Sequence, residues 1–272
     1  MAPTQRKTST PTYMKTSTHP PKRRVTFKYI TLLSSFLFLP VLYFFLHVKH
    51  NLQPTAIVDH SLPHHVQVPD IRIRSGYTSY KTYLQHQLNK TLNPKLRKVW
   101  TTRDWDRKIQ VFSEIFTRLK HEKLLSNNSR ALCIGARVGQ EVQALKRIGV
   151  NDSIGMDLVP YPPLVVEGDF HSQPFQNETF DFEFSNVFDH ALYPRKFVAE
   201  IERTLRRRGV CVLHVAISKR GDKYSANDLF SVRPLVEMFQ RSELVYVRKV
   251  DGFGLDTEVV FRKREVKLIQ QR

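Results

Sequence analysis

A chain of 272 residues holds one domain of ordinary size plus an extension, and 41% hydrophobic content excludes a wholly disordered protein. Two cysteines, Cys133 and Cys211, both inside apolar runs, exclude a disulfide-built scaffold, and no Cys/His cluster has the spacing of a zinc site, so no metal is expected. The net charge of +18 is uneven: Arg6, Lys7, Lys15, Lys22, Arg23, Arg24 and Lys28 stand in the first 28 residues without an acid, and the remaining +11 favours an anionic partner or surface.

In chain order, residues 1–28 are rich in Thr, Ser, Pro and Lys and read as a basic disordered tail. Residues 29–48, YITLLSSFLFLPVLYFFLHV, contain no Lys, Arg, Asp or Glu, and a helix of that length spans the hydrocarbon core of a bilayer. No small-residue cleavage site follows, so a retained signal anchor is expected rather than a cleaved signal peptide. Seven basic residues precede the segment and only Lys49 lies close behind it, which places the N-terminus in the cytosol and the remainder in a secretory lumen. Four N-x-[ST] sequons, at Asn89, Asn127, Asn151 and Asn177, agree with a lumenal glycoprotein. Residues 49–75 read as a Pro- and His-containing stem.

The domain is expected over 76–264, with a basic tail at 265–272. A helical region spans about 77–92. A second follows Thr102, with Trp105, Ile109, Phe112, Phe116 and Leu119 on one face. From residue 130 strands and helices alternate. Strands are expected at 130–134, 153–157, near 164–166, at 180–185 and at 210–217, with helices at about 139–148 and 194–207. A helix near 228–240 and two final strands, 244–250 and 257–262, close the chain. This alternation predicts a mainly parallel sheet covered by helices, with an antiparallel pair at one edge.

Between the first strand and the first helix of this series lies Gly135-Ala136-Arg137-Val138-Gly139, and the next strand ends in Asp157. Glycines let a backbone approach a ligand closely, and a helix N-terminus directs N–H groups at it. A carboxylate about 20 residues on can accept hydrogen bonds from two ribose hydroxyls. The pattern suits an adenosine-containing ligand.

With the block FDFEFSNVFDHALYPRKFVAEIERTLRRRGVCVLHV over 180–215, the chain resembles the class I S-adenosylmethionine-dependent methyltransferases, most nearly small single-anchor plant proteins of that type. The resemblance covers about 100–264. It implies a Rossmann-like α/β fold, a seven-stranded, mostly parallel sheet with helices on both faces, here preceded by one transmembrane helix. It implies S-adenosyl-L-methionine as cofactor. Gly135, Ala136, Arg137 and Gly139 would form the turn at its amino-acid and ribose portion. Asp157 would hold the ribose hydroxyls, Leu158 would pack on adenine, Asp169 would accept from the adenine amine, and Phe170 would lie beside the ring. Asn186 and Val187 would flank the methionine portion. Asp189 and His190 lie where family members place substrate-facing groups, with His190 a candidate base. Three positions depart from the family pattern. Cys133 replaces an acid two residues before the first glycine, Arg137 replaces the turn's middle glycine, and Arg207-Arg208-Gly209 replaces a Pro-Gly-Gly.

The expected function is methyl transfer to an anionic acceptor, such as an acidic polysaccharide, by an enzyme anchored in the Golgi or ER membrane. Two alternatives are an anchored, catalytically inactive binding module on the same fold and a nicotinamide-dependent oxidoreductase. The third-strand acid and the 180–215 block favour the methyltransferase layout over the latter. No nucleic-acid-reading module is recognisable, so nucleic acid is not an expected partner. The oligomeric state is left open.

Overall fold

The computed structural model describes residues 70–217 and 221–265. The expected tail at 1–28 and anchor at 29–48, residues 49–69 of the stem and all but the first residue of the C-terminal tail lie outside the described residues. No helix among the described residues is long and apolar enough to cross a membrane.

The chain enters through strand β1 (Ile71–Ile73) and passes through three helices, α1 (Tyr80–Thr91), α2 (Pro94–Thr101) and α3 (Trp105–His121). The alternating series follows: β2 (Ala131–Ile134), α4 (Gln140–Arg147), β3 (Ser153–Asp157), β4 (Val165–Glu167), β5 (Phe180–Ser185), α5 (Pro194–Thr204) and β6 (Leu205–Val215). Strand β7 (Asn227–Leu229), helix α6 (Arg233–Met238) and strands β8 (Ser242–Gly252) and β9 (Leu255–Lys263) complete it. Seven strands form one sheet in the order β4-β3-β2-β5-β6-β9-β8. Neighbours from β4 to β6 pair in parallel, while β9 runs antiparallel to both β6 and β8.

Alternation along the central strands divides the core between the two faces. Ala131, Cys133, Phe182, Phe184 and Val212 pack with Ile109, Phe112, Phe116 and Leu119 of α3 and with Val142 and Leu145 of α4. Leu132, Ile134, Cys211 and Leu213 pack with Phe197, Val198 and Ile201 of α5 and with Leu235 and Phe239 around α6. Both cysteines are free and buried.

The expected Rossmann-like sheet, its mainly parallel strands and its antiparallel pair are therefore present, with local differences. The helix expected at 194–207 stops at Thr204, because Leu205 is extended and pairs with Phe180 of β5 as the first residue of β6. The helix expected at 228–240 is shorter, Arg233–Met238, and its first residues are strand β7 instead. That strand pairs antiparallel with β1, inside the expected stem. Asp228 fixes the pair by accepting from Arg72 Nη2 at 2.8 Å and Arg74 Nη2 at 2.6 Å. Helix α2 was not expected. Its signals are Asn93, whose side chain accepts from the N–H groups of Lys95 and Leu96, and Pro94 at the first helical position.

Candidate active site

The C-terminal ends of β2, β3 and β5 open into a cavity of about 300 Å³. Its wall includes nine of the expected site residues: Gly135, Arg137, Asp157, Leu158, Phe170, Asn186, Val187, Asp189 and His190. Ala136 and Gly139 shape the turn from behind, and Asp169 lies beside the cavity without lining it.

Glycine at 135 is required twice. Its φ is +73°, and a Cβ there would stand 2.4 Å from Val187 Cγ2. The backbone of the turn thus touches the end of β5, where the resemblance puts the methionine portion. Gly139, φ +85°, caps the N-terminus of α4 and leaves no room for a Cβ against Leu164. Arg137 adopts φ +51° without being glycine. Its guanidinium leaves the turn and lies over the Trp100 ring, 5.5 Å from the centroid. The side chain therefore does not fill the place that a glycine would keep bare.

Asp157 ends β3 with Oδ2 accepting from the Arg137 N–H at 2.9 Å, which ties the acid to the turn. Burial raises its carboxyl above the ordinary value, opposed by the N–H groups of Arg137, Val159 and Leu158. Asp169 is occupied. It accepts from the Tyr80 hydroxyl and, at 2.8 Å, from the His171 N–H. Burial alone would raise its carboxyl, but the hydrogen bonds of His171 and Tyr80 outweigh that and hold it below the usual range. Asp169 is thus half-buried against Tyr80.

His190 sits on a short 3₁₀ turn after β5. Nδ1 lies 3.1 Å from both Gln87 Oε1 and the Tyr224 carbonyl, which are acceptors, so its proton belongs on Nδ1. The Nε2 lone pair faces the Lys90 ammonium at 3.1 Å, and Lys90 also pairs with Asp222 at 2.8 Å. Burial lowers the pKa of the ring, which keeps it neutral. Asp189 accepts from the Ser225 hydroxyl at 2.5 Å and does not hold His190, whose Nε2 is 3.9 Å from Asp189 Oδ2.

The cavity also contains residues that the sequence did not single out: Gln87 and Lys90 of α1, Lys108 of α3, Asp222, and Phe253 in the β8–β9 turn. Helix α1 roofs the cavity, with Gln87 Nε2 donating to the Tyr224 carbonyl at 2.8 Å. Two of these residues carried a legible signal. Lys108 lies in the apolar stripe of α3, one turn from Trp105 and Phe112, and Gln87 lies in line with Tyr80, Tyr83 and Thr91 on α1. A polar residue on a core-facing stripe calls for a partner or a ligand. No group of side chains that could hold a metal ion occurs among the described residues.

Residues 132–213 match the family model described as a methyltransferase domain. Over those residues the chain is similar to a methyltransferase domain. The match spans the turn, the Asp157 strand, β5 and most of β6. No curated protein matches the chain in sequence. Among solved structures, 1,6-didemethyltoxoflavin-N1-methyltransferase of Burkholderia thailandensis, crystallised with 1,6-didemethyltoxoflavin and S-adenosylhomocysteine, is 17% identical with a TM-score of 0.53. That alignment covers 72% of this chain and 95% of that one. A SAM-dependent methyltransferase from Aquifex aeolicus is also 17% identical, covering 54% of this chain and 88% of that one, with a TM-score of 0.44. At 17% identity the likeness to the Burkholderia enzyme is one of fold, and in this chain the turn and Asp157 line the same cavity.

Proposed function

We propose that this chain transfers a methyl group from S-adenosylmethionine to an anionic acceptor, in a secretory lumen to which residues 29–48 anchor it. The observation that carries the methyl-donor reading is the meeting of the Gly135 turn, the Asp157 carboxylate and the Asn186-Val187 end of β5 on one cavity. The residues present fit the cofactor. Gly135 clears its approach, Asp157 offers an acceptor for ribose hydroxyls, and Leu158 and Phe170 offer apolar contact for the adenine.

When bound, the cofactor supplies an electrophilic methyl on a sulfonium. The chain supplies alignment of the acceptor and exclusion of water. A base is needed only where the nucleophile must lose a proton. His190 is poorly placed for that task, since its only lone pair is given to Lys90. A carboxylate acceptor needs no deprotonation, which supports the anionic class over a neutral hydroxyl. The basic balance of the chain supports it too. The lumenal location rests on the apolar run at 29–48 and the charges that precede it.

The test is calorimetric titration of the full chain with S-adenosylmethionine. Binding that falls at least about tenfold in Asp157→Ala is expected, since each of two ribose hydroxyls loses its charged acceptor. A folded wild-type chain that does not bind would overturn the reading and leave the inactive-module alternative.

A further inference from the structure

The strand–turn of this domain lacks the acid that would receive the ammonium of the cofactor's amino-acid end. Cys133 stands there, 1% exposed and packed among apolar side chains, with its thiol pushed up by burial and then by the charge of Glu141. The buried carboxylate that this turn does have is Glu141, in the first turn of α4.

Glu141 is 1% exposed. Its Oε1 accepts from Asn186 Nδ2 at 3.1 Å, and Arg137 Nη2 is 3.9 Å away. Its Oε2 is buried with no hydrogen-bond partner, and so is Arg137 Nε. Asn186 faces the cavity; with its amide N–H₂ given to Glu141, its carbonyl oxygen is left for a ligand. Lys108, 8% exposed, also lines the cavity, with its ammonium 5.0 Å from the Phe253 ring centroid. No carboxylate lies within ion-pair distance of Lys108 among the described residues. Burial, with Arg137 nearby, brings its pKa down to about 8. A buried ammonium with no carboxylate in ion-pair reach, and a buried carboxylate oxygen without a donor behind Asn186, are each costly for an empty protein and suit a ligand carrying both charges.

We propose that Lys108, Arg137, Asn186 and Glu141 form a receptor for the α-amino-carboxylate of the cofactor, rebuilt around the cysteine at 133. Asn186 touches the ammonium. Glu141 is a positioning residue that holds the Asn186 amide and supplies the compensating negative charge from behind. Lys108 and Arg137 receive the carboxylate. The assignment rests on the cofactor reading above and adds which residues do the work of the missing acid.

The test compares two ligands on the full chain by titration calorimetry. S-adenosylhomocysteine carries the amino-acid end, and 5′-methylthioadenosine has the same nucleoside and thioether without it. Wild-type chain is expected to bind the first at least about tenfold more tightly, the scale of one charge-assisted contact. Glu141→Gln and Lys108→Met are each expected to erase most of that preference while leaving methylthioadenosine within about twofold, and Glu141→Asp is expected to restore part of it. Lys108→Met removes a charge that has no carboxylate partner, so the fold stands if Glu141→Gln proves unstable. Equal wild-type affinity for the two ligands would overturn the receptor and leave the cofactor reading intact. So would variants that weaken both ligands alike, which is the mark of a structural role. Failure to bind either ligand would overturn both.

Discussion

At the scale of single residues, the turn regions show where this sequence departs from comfortable backbone. Arg208 adopts φ +64° in the stretch that replaces a Pro-Gly-Gly. Its side chain is 72% exposed, with only a 4.0 Å contact to Glu265. A left-handed residue with a Cβ costs about 1–2 kcal/mol, part of which glycine returns through the entropy of its unfolded chain. Arg208→Gly should therefore raise stability by about 0.5–1 kcal/mol in urea unfolding. A lower midpoint would mean that the side chain holds something its exposure hides. What reads in the sequence as an innocuous turn variation is thus a local strain, because φ is invisible in a string of letters. Arg137 teaches the complementary lesson. The sequence shows an obstacle in a glycine turn, but the obstacle depends on where the guanidinium goes, and Trp100, on a helix the sequence did not announce, holds it clear of the turn while the residue still lines the cavity.

At the scale of elements, legibility follows the range of the interactions that make each one. Strands β2, β3 and β5 were readable because their own apolar runs demand a buried sheet. Strands β1 and β7, three residues each, exist only through each other and through Asp228, across more than 150 residues, which no local window contains. Glu258 of β9 is a further long-range feature. It is buried and accepts from His214 Nε2 at 2.9 Å, Arg118 Nη2 at 2.6 Å, Tyr246 Oη at 3.0 Å and Arg248 Nε at 2.9 Å. One carboxylate so joins α3, β6, β8 and β9. Burial alone would raise its pKa, but the hydrogen bonds from His214 and Arg118 outweigh it and bring it down to about 2. Because the folded value is depressed, the stabilisation is fully present above about pH 5 and is lost as pH falls toward 2. Glu258→Gln should cost about 3 kcal/mol or more at neutral pH and flatten that acid limb. Thermal unfolding of both chains between pH 3 and 7 checks it, and parallel curves would refute it.

At the scale of the whole domain, floor and roof of the cavity are held by different forces. The floor stands on the two large apolar clusters of the sheet. The roof, α1, has a small apolar cluster centred on Tyr83, Leu192 and Ala226, and is otherwise tied by polar contacts such as Lys90 to Asp222, Gln87 to Tyr224 and His86 to Lys223. Backbone amides of 80–91 should therefore exchange with solvent hydrogen at least about tenfold faster than those of β2 and β5, through local opening. Added salt should speed the roof alone. Equal protection of roof and floor would show that they open as one unit. The β1–β7 pair gives the same architecture a mechanical meaning. Any load that reaches the domain through the residues before Asp70 arrives at Asp70, which Phe230 and Arg233 hold, and at the three β1–β7 residue pairs with the carboxylate of Asp228. One end of β7 leads back toward Gly221 and Asp222 on the cavity wall, and the other leads into α6. Tension on the leading chain is thus shared between the mouth of the cavity and the helix that follows β7.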